Sequence, residues 1–348
     1  MQSLWTTRAT RTNKSAVTTD DGFLFSLCAL FVVCGSAVMA TLAPISLSIA
    51  SVFLFAGPHN WMELRYFLSR LPSRFGPLSK FFGTSFAGVI LLGAAYAALI
   101  TMNRAHLLDY SISIASFQSW ISCLYVWLAA LIVFRPGDSQ TASSLTFANR
   151  SRVLTGLALV GGVSVANPLW FGLAMVFLHP LVGLFILDRE LQRTRRSWVT
   201  PYRITLGAIG IVLLMIGAHL YGSASLPITS MLDQQICRHA GSGLLKSVSS
   251  HLLVSLHVFL EMLHYGVWLL AIPIATRAWQ KWKPEQIPAA FNPSLPRKLI
   301  PVLLGSSTLL VLAIWIGFCT DYSNARDIYF TLAIFHVLAE LPFLIWLK

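Results

Sequence analysis

The sequence predicts an all-α fold, a polytopic integral membrane bundle of about 8–10 transmembrane segments. Three observations carry this reading. Hydrophobic residues make up 56% and charged residues 11% of the 348-residue chain, against roughly 45–50% and 25% in soluble domains. Mean hydropathy is +0.69. Apolar stretches of at least about 18 residues recur from end to end, which suits helices and exceeds the length of barrel strands. The net charge of +12 falls mostly in short loops. There Lys and Arg set orientation, so the charge does not point to nucleic acid.

Residues 1–21 form a polar, basic tail with Arg8, Arg11 and Lys14. The apolar run at 22–42 is too long for the core of a signal peptide and reads as a retained anchor. Further apolar segments fall near 45–66, 82–102, 112–134, 153–188, 203–221, 249–276, 299–319 and 328–347. Residues 22–348 are therefore expected to form a single transmembrane domain. Loops 70–80, 135–152, 189–203 and 277–298 are basic, whereas 103–111, 222–248 and 320–327 are poorer in Lys and Arg. The alternation expects both termini in the cytoplasm and the chain in the cytoplasmic (inner) membrane. Segment 153–188 has basic loops at both ends, so it crosses twice or re-enters as a hairpin. Asn167-Pro168 at its middle supplies the turn. Cys28, Cys34, Cys123, Cys237 and Cys319 show no CxxC spacing and read as free thiols, with a Cys237–Cys319 bridge as the alternative.

The chemistry lies inside the apolar segments. His59/Glu63, His257/Glu261 and His336/Glu340 each place Glu four residues after His. Chance placement of 9 His and 5 Glu gives roughly 0.13 such pairs. Residues four apart share a helix face, and ionisable groups at membrane depth point to function. His with carboxylate is also the donor set of non-haem iron and related metals. If the loop charges set the topology, the helices bearing His59, His179, His257/His264 and His336 all run from outside to inside. Their polar groups then share one slab, from the midplane into the cytoplasmic half. On the 249–276 helix, Glu261 and His264 lie about 40° and −20° from His257, forming one stripe. Glu261 and His264 also have the Glu-x-x-His spacing of di-iron bundles. Proline interrupts the helices at these places: Pro58, Pro180 and Pro342.

Blander roles compete. A membrane His can simply hydrogen-bond a neighbouring helix, and a His–Glu pair can be structural. His106, His219, His239 and His251 read as surface or interface residues near the outer face. Asp188 and Glu190, among arginines, read as salt-bridge partners. Trp61, Tyr66, Tyr265 and Trp268 either line an apolar pocket or pack and anchor.

At Gly57-Pro58-His59-Asn60-Trp61-Met62-Glu63 the chain resembles the bacterioopsin-related Brp/Blh family of membrane β-carotene dioxygenases. In that resemblance His59 takes the place of a ligand, with Glu63 for the family's Asp and Asn60 for its second glycine. His257 and His264 take the place of a two-His helix, although they are seven apart rather than four. His336-Val337-Leu338-Ala339-Glu340 resembles a late His–Asp motif, one residue shorter. His179 stands for a second motif but lacks its following acid. The resemblance implies a His-ligated Fe(II) site that cleaves or oxidises an isoprenoid.

The expected function is therefore a membrane-embedded oxygenase holding one or two Fe(II) ions and acting on a lipophilic substrate, with the bilayer as its surroundings and no nucleic-acid partner. His59, His179, His257, His264 and His336 would ligate. Glu63, Glu261 and Glu340 would serve catalysis, either holding a second metal or orienting imidazoles. The alternatives are a His/Glu-lined transporter of metal ions or protons, a b-type cytochrome using His251 and His264, and a non-catalytic membrane protein.

Overall fold

The computed structural model describes residues 19–135, 147–276, 283 and 287–346. Most of the expected tail at 1–21 and of the basic loop 135–152 falls outside the described residues, as do 277–282 and 284–286 of the basic loop 277–298. Among the described residues every regular element is helical. The long helices are α1 (Thr19–Leu42), α2 (Pro44–Arg70), α3 (Ser79–Arg104), α4 (Tyr110–Phe134), α5 (Phe147–Ala166), α6 (Pro168–Thr194) and α7 (Val199–Leu220). A short α8 (Met231–His239) follows. Next come α9 (Ser250–Gly266), a π-helical turn (Val267–Ala271) and α10 (Ile272–Thr276), then α11 (Leu299–Thr320) and α12 (Tyr322–Trp346). Among the described residues, eight helical segments are long and apolar enough to cross a membrane.

The 153–188 segment is two helices, broken at Asn167. Asn167 leaves helical geometry at φ −133, ψ 66, and Pro168 opens α6 at its first position, where a missing N–H costs nothing. At 1.5 Å per residue, the 20 residues of α5 and 27 of α6 reach about 30 and 40 Å. By length both legs could cross a membrane, but only α6 is among the eight apolar spans, and α5 carries Arg150 and Arg152 near its start. All five cysteines are free, and only Cys237 is buried.

The segment 250–276 is the axis of the bundle. Of its most apolar stretch 67% is buried, against 11–28% in the other seven spans. The helices around it include α1, α2, α6 and α7. Their outer faces keep large apolar side chains exposed, such as Phe31, Leu91, Val126 and Leu214, as lipid-facing surfaces require. Tryptophans clamp the flanking α3–α4 pair. Trp120 Nε1 donates to the Leu92 carbonyl at 2.9 Å and Trp127 Nε1 to the Thr84 carbonyl at 2.8 Å.

The four helices that carry the His and Glu residues run in the same direction. Contacts between α2 and α12 advance together along both chains: Tyr322 OH donates to the Ile49 carbonyl, His59 meets His336, and Phe67 stacks on Phe343. Contacts between α2 and the 250–276 segment advance likewise: Ser51 with Glu261, His59 with His264, Tyr66 with Trp268. At the far end of α6, Arg70 meets Glu190 and Arg195 meets the Ala275 carbonyl. Co-directed helices bring equal distances along each chain to equal depth.

Candidate metal centre

Four helices deliver six ligand-type side chains to one place. His59 and Glu63 come from α2, His179 from α6, His264 from α9, and His336 and Glu340 from α12. The donor atoms of His59, Glu63, His264 and His336 all lie within 4.8 Å of one another, and so do those of His179, His264 and Glu340. His264 belongs to both groupings and joins them into one cluster. Imidazole centroids stand 4.7 Å apart for His179–His264, 5.0 Å for His179–His336 and 5.3 Å for His59–His264. His59 and Glu63 are each 1% exposed, His264 3% and Glu340 0%.

Local sequence prepares this. Pro58 sits inside α2, Pro180 inside α6 and Pro342 inside α12. Each proline removes a helical hydrogen bond next to a site residue and loosens the helix there. The π-helical turn at Val267–Ala271 directly follows the His264 turn. Such turns recur at functional positions because they re-aim the side chains around them. Here the turn carries Trp268, fully buried, with its ring against Tyr66 and Phe67 at 5.6 Å each. Phe67 stacks on Phe343 at 4.0 Å. These aromatics close the cluster on the side of the helix C-termini.

The donor atoms are placed so that they could hold a metal cation. His59 Nδ1 lies 3.0 Å from the Phe55 carbonyl oxygen. That bond selects the tautomer with hydrogen on Nδ1, which leaves the Nε2 lone pair facing the cluster. Nε2 of His59 is buried with no hydrogen-bond partner. The same holds for both carboxylate oxygens of Glu63, Oε1 of Glu340, both ring nitrogens of His264, and Nδ1 of His336. Buried polar atoms are normally paired, and buried carboxylates without a counter-charge are costly. His179 Nε2 and His336 Nε2 face each other at 3.1 Å, and His179 Nδ1 is 3.1 Å from Glu340 Oε2. Two nitrogens about 2.1 Å from one ion at right angles would be about 3.0 Å apart.

His257 and Glu261 fall outside this cluster. They share a helix face with His264, but His257 lies seven residues away, about 10.5 Å along the axis, farther than one cluster reaches. The His257 ring instead packs against His239 at 5.1 Å and Phe177 at 5.9 Å. Glu261 accepts from Tyr265 Oη at 2.8 Å and from Ser51 Oγ at 3.5 Å. His251 Nε2 is 2.9 Å from the Thr41 carbonyl, and His219 is exposed. Both acids at the end of α6 do pair with arginine. Arg203 holds Asp188 through Nε and Nη2 at 3.0 and 3.2 Å. Arg70 Nη2 meets Glu190 Oε1 at 2.6 Å while Tyr66 Oη donates to Oε2 at 2.9 Å.

Two residues near the site escape a reading by sequence. His239 is not a free surface group: α8 folds it inward against His257 and over Phe330, with centroids 4.4 Å apart. Arg326 lies within α12, which begins six residues before the apolar run at 328. A capping signal marks that start, since Asp321 accepts the Asn324 N–H at 3.1 Å.

A cavity of about 510 Å³ adjoins the cluster. His59, His179, His264 and His336 line one end, and Phe117, Trp120, Phe171 and Met175 form an apolar wall. Arg104, Arg238 and Asp327, all at least partly exposed, stand at the other end. No family model, curated protein or solved structure matches this chain, so the site is read from its own geometry.

Proposed function

We propose that the protein is a membrane-embedded, iron-dependent oxygenase acting on a lipophilic substrate such as a carotenoid or another isoprenoid. The observation that carries this reading is a buried His/Glu donor cluster at the closed end of an apolar cavity. Mixed imidazole and carboxylate donors suit Fe(II). The cavity volume is in the range of small-molecule sites. The resemblance of 57–63 and 336–340 to the Brp/Blh motifs supports the isoprenoid class.

His59, His179, His264 and His336 would hold the metal, with Glu63 and Glu340 completing the set. Two carboxylates balance one divalent cation, so a single ion leaves the buried cluster neutral in a medium where net charge is costly. Bound Fe(II) would supply O2 binding and activation at an open position. The chain's own residues do the rest. The Phe55 carbonyl fixes the His59 tautomer through Nδ1. Trp268, Phe67 and Phe343 exclude water from beneath the cluster. Phe117, Trp120 and Phe171 hold an apolar chain in line with the histidines. The aromatic plug also disfavours a transporter, which needs an exit on that side.

The charge pattern of the loops favours the cytoplasmic membrane with both termini inside. In that orientation the cavity end at Arg104 and Arg238 faces outward.

Elemental analysis of detergent-purified protein is the direct test, with about one iron per chain expected. Co-expression in a β-carotene-producing host should bleach the pigment. Folded protein without stoichiometric transition metal, not restored by Fe(II), Mn(II) or Zn(II), would overturn the metalloenzyme. Unchanged pigment beside iron-loaded protein would remove β-carotene alone.

A further inference from the structure

The cavity holds a second polar group that metal binding does not use. Arg326, on the first turns of α12, is 2% exposed and lines the cavity. Its Nε is buried with no hydrogen-bond partner. Its guanidinium lies over the Phe330 ring, 4.6 Å from the centroid, so it points along the helix towards the site.

Among the described residues no acid is in salt-bridge contact with it, although Glu261 and Asp327 are near enough to act on it through space. Asp327, beside it in sequence, is paired with Arg104 at 3.2 Å. Glu261 is held by Tyr265 and Ser51. His239 and His257, on the same stretch of cavity wall, contact aromatic rings and each other but make no hydrogen bond among the described residues. An arginine buried at this depth without a directly bonded anion is expensive and points to a binding function.

We infer that Arg326 receives the carboxylate of a substrate whose other end is a long apolar chain, with His239 and His257 as neighbouring hydrogen-bonding groups. The planar guanidinium matches a carboxylate through paired donors. A single buried cation with an aromatic wall suits a one-chain acid better than a two-chain phospholipid, whose headgroup would stay at the membrane surface. The distances agree with a role in positioning. Between Phe330 and Arg326, the anchoring level lies about 9–15 Å from His336 by helix rise. A carboxylate held there would put a carbon roughly seven to twelve bonds down an extended chain beside the histidines. This inference rests on the reading of the cavity as a substrate site and narrows its substrate from hydrocarbons such as β-carotene to an acid-ended lipid. Bleaching of β-carotene itself would therefore count against the inference and not against the oxygenase.

The test is competitive binding to the purified full-length protein at mildly alkaline pH, with palmitate and hexadecanol as probes and metal content measured on the same samples. Palmitate should bind at least about tenfold more tightly than hexadecanol. Arg326→Gln should abolish the preference and Arg326→Lys keep part of it. Arg238→Gln, at the exposed rim, should leave it intact. Equal affinities for the two probes in the wild type would overturn the inference, whether or not Arg326→Gln folds. So would a preference lost in Arg238→Gln and retained in Arg326→Lys and Arg326→Gln. Metal-free protein that keeps the acid preference would sink the oxygenase and leave the Arg326 site standing. Metal-loaded protein without the preference would do the reverse.

Discussion

His179 Nε2 and His336 Nε2 stand 3.1 Å apart, although 157 residues separate them in the chain. Two neutral imidazoles that close either share a proton or turn both lone pairs on one cation. If they serve a cation, His336→Ala and His264→Ala should each weaken metal binding by at least about tenfold. His219→Ala, on an exposed face, should not. Plasma emission analysis of purified variants checks this. Variants that retain metal but lose only stability, by about 0.6 kcal/mol each, would instead match plain interhelical hydrogen bonds.

Glu63 buries a carboxylate whose oxygens have no hydrogen-bond partner, and the buried Glu340 carboxylate has His179 Nδ1 at 3.1 Å. Metal removal should therefore lower the Tm, since a ligand at about a thousand times its Kd adds about 4 kcal/mol to the folded state. Replacing both acids by Gln should abolish metal binding and make stability insensitive to chelator. A Tm that chelation does not shift in the wild type would argue against a resident ion.

Glu190 and Arg70 form an ion pair with side-chain exposures of 1% and 18%. Removing Glu190 leaves a partly buried guanidinium unpaired, which costs up to about 3 kcal/mol, the lower end of the range for fully buried pairs. Glu190→Gln should thus destabilise the protein strongly in thermal unfolding while leaving metal stoichiometry unchanged. Metal loss without destabilisation would relocate the site.

His257 and Glu261 share the face of His264 but not its depth. His257→Ala and Glu261→Gln should leave metal content at the wild-type level. Glu261→Gln weakens the acceptor for Tyr265, with a stability cost of about 1–2 kcal/mol. Loss of metal in either variant would extend the cluster towards α8.

α8 carries His239 to the cavity and depends on a cap. Ser230 Oγ accepts the Asp233 N–H at 3.1 Å, and Asp233 Oδ2 accepts the Ser230 N–H at 3.0 Å. Ser230→Ala should cost about 1 kcal/mol of local helix stability. Hydrogen bonds from the Thr229 side chain, then from the Thr229 backbone and Ser230, hold the Asp233 carboxyl below the usual carboxylate range. A lowered folded pKa stabilises α8 above the ordinary carboxylate pKa. That contribution is lost as pH falls through the folded value. Protection of the α8 amides, taken relative to their intrinsic exchange rates, should therefore fall in acid in the wild type, and an Asp233→Asn variant should lose this dependence.

Loop charge orients the chain by the positive-inside rule. Reporter fusions should place 189–203 in the cytoplasm and 222–248 outside. Fusions placing 135–152 and 189–203 on opposite sides would deny α5 and α6 two crossings.

Composition and periodicity by themselves determined that this protein is an all-helical membrane bundle. They also marked where its polar residues lie, because a charge in an apolar segment stands out against its neighbours. His59, Glu63, His264, His336 and Glu340 were legible for that reason, and Asn167-Pro168 marked the break between α5 and α6. Helical angle is local and follows from spacing alone. Depth across different helices is not local, because it depends on where each helix begins and how it packs. Only the tertiary structure could therefore separate His264 from His257 and Glu261, which share one stripe, or bring His179 against His336 and Glu340. Arg326 and His239 became part of the cavity for the same reason. One lies in a helix that starts before its apolar run, and the other on a short helix that folds back over the bundle, so neither position is written in a hydropathy pattern.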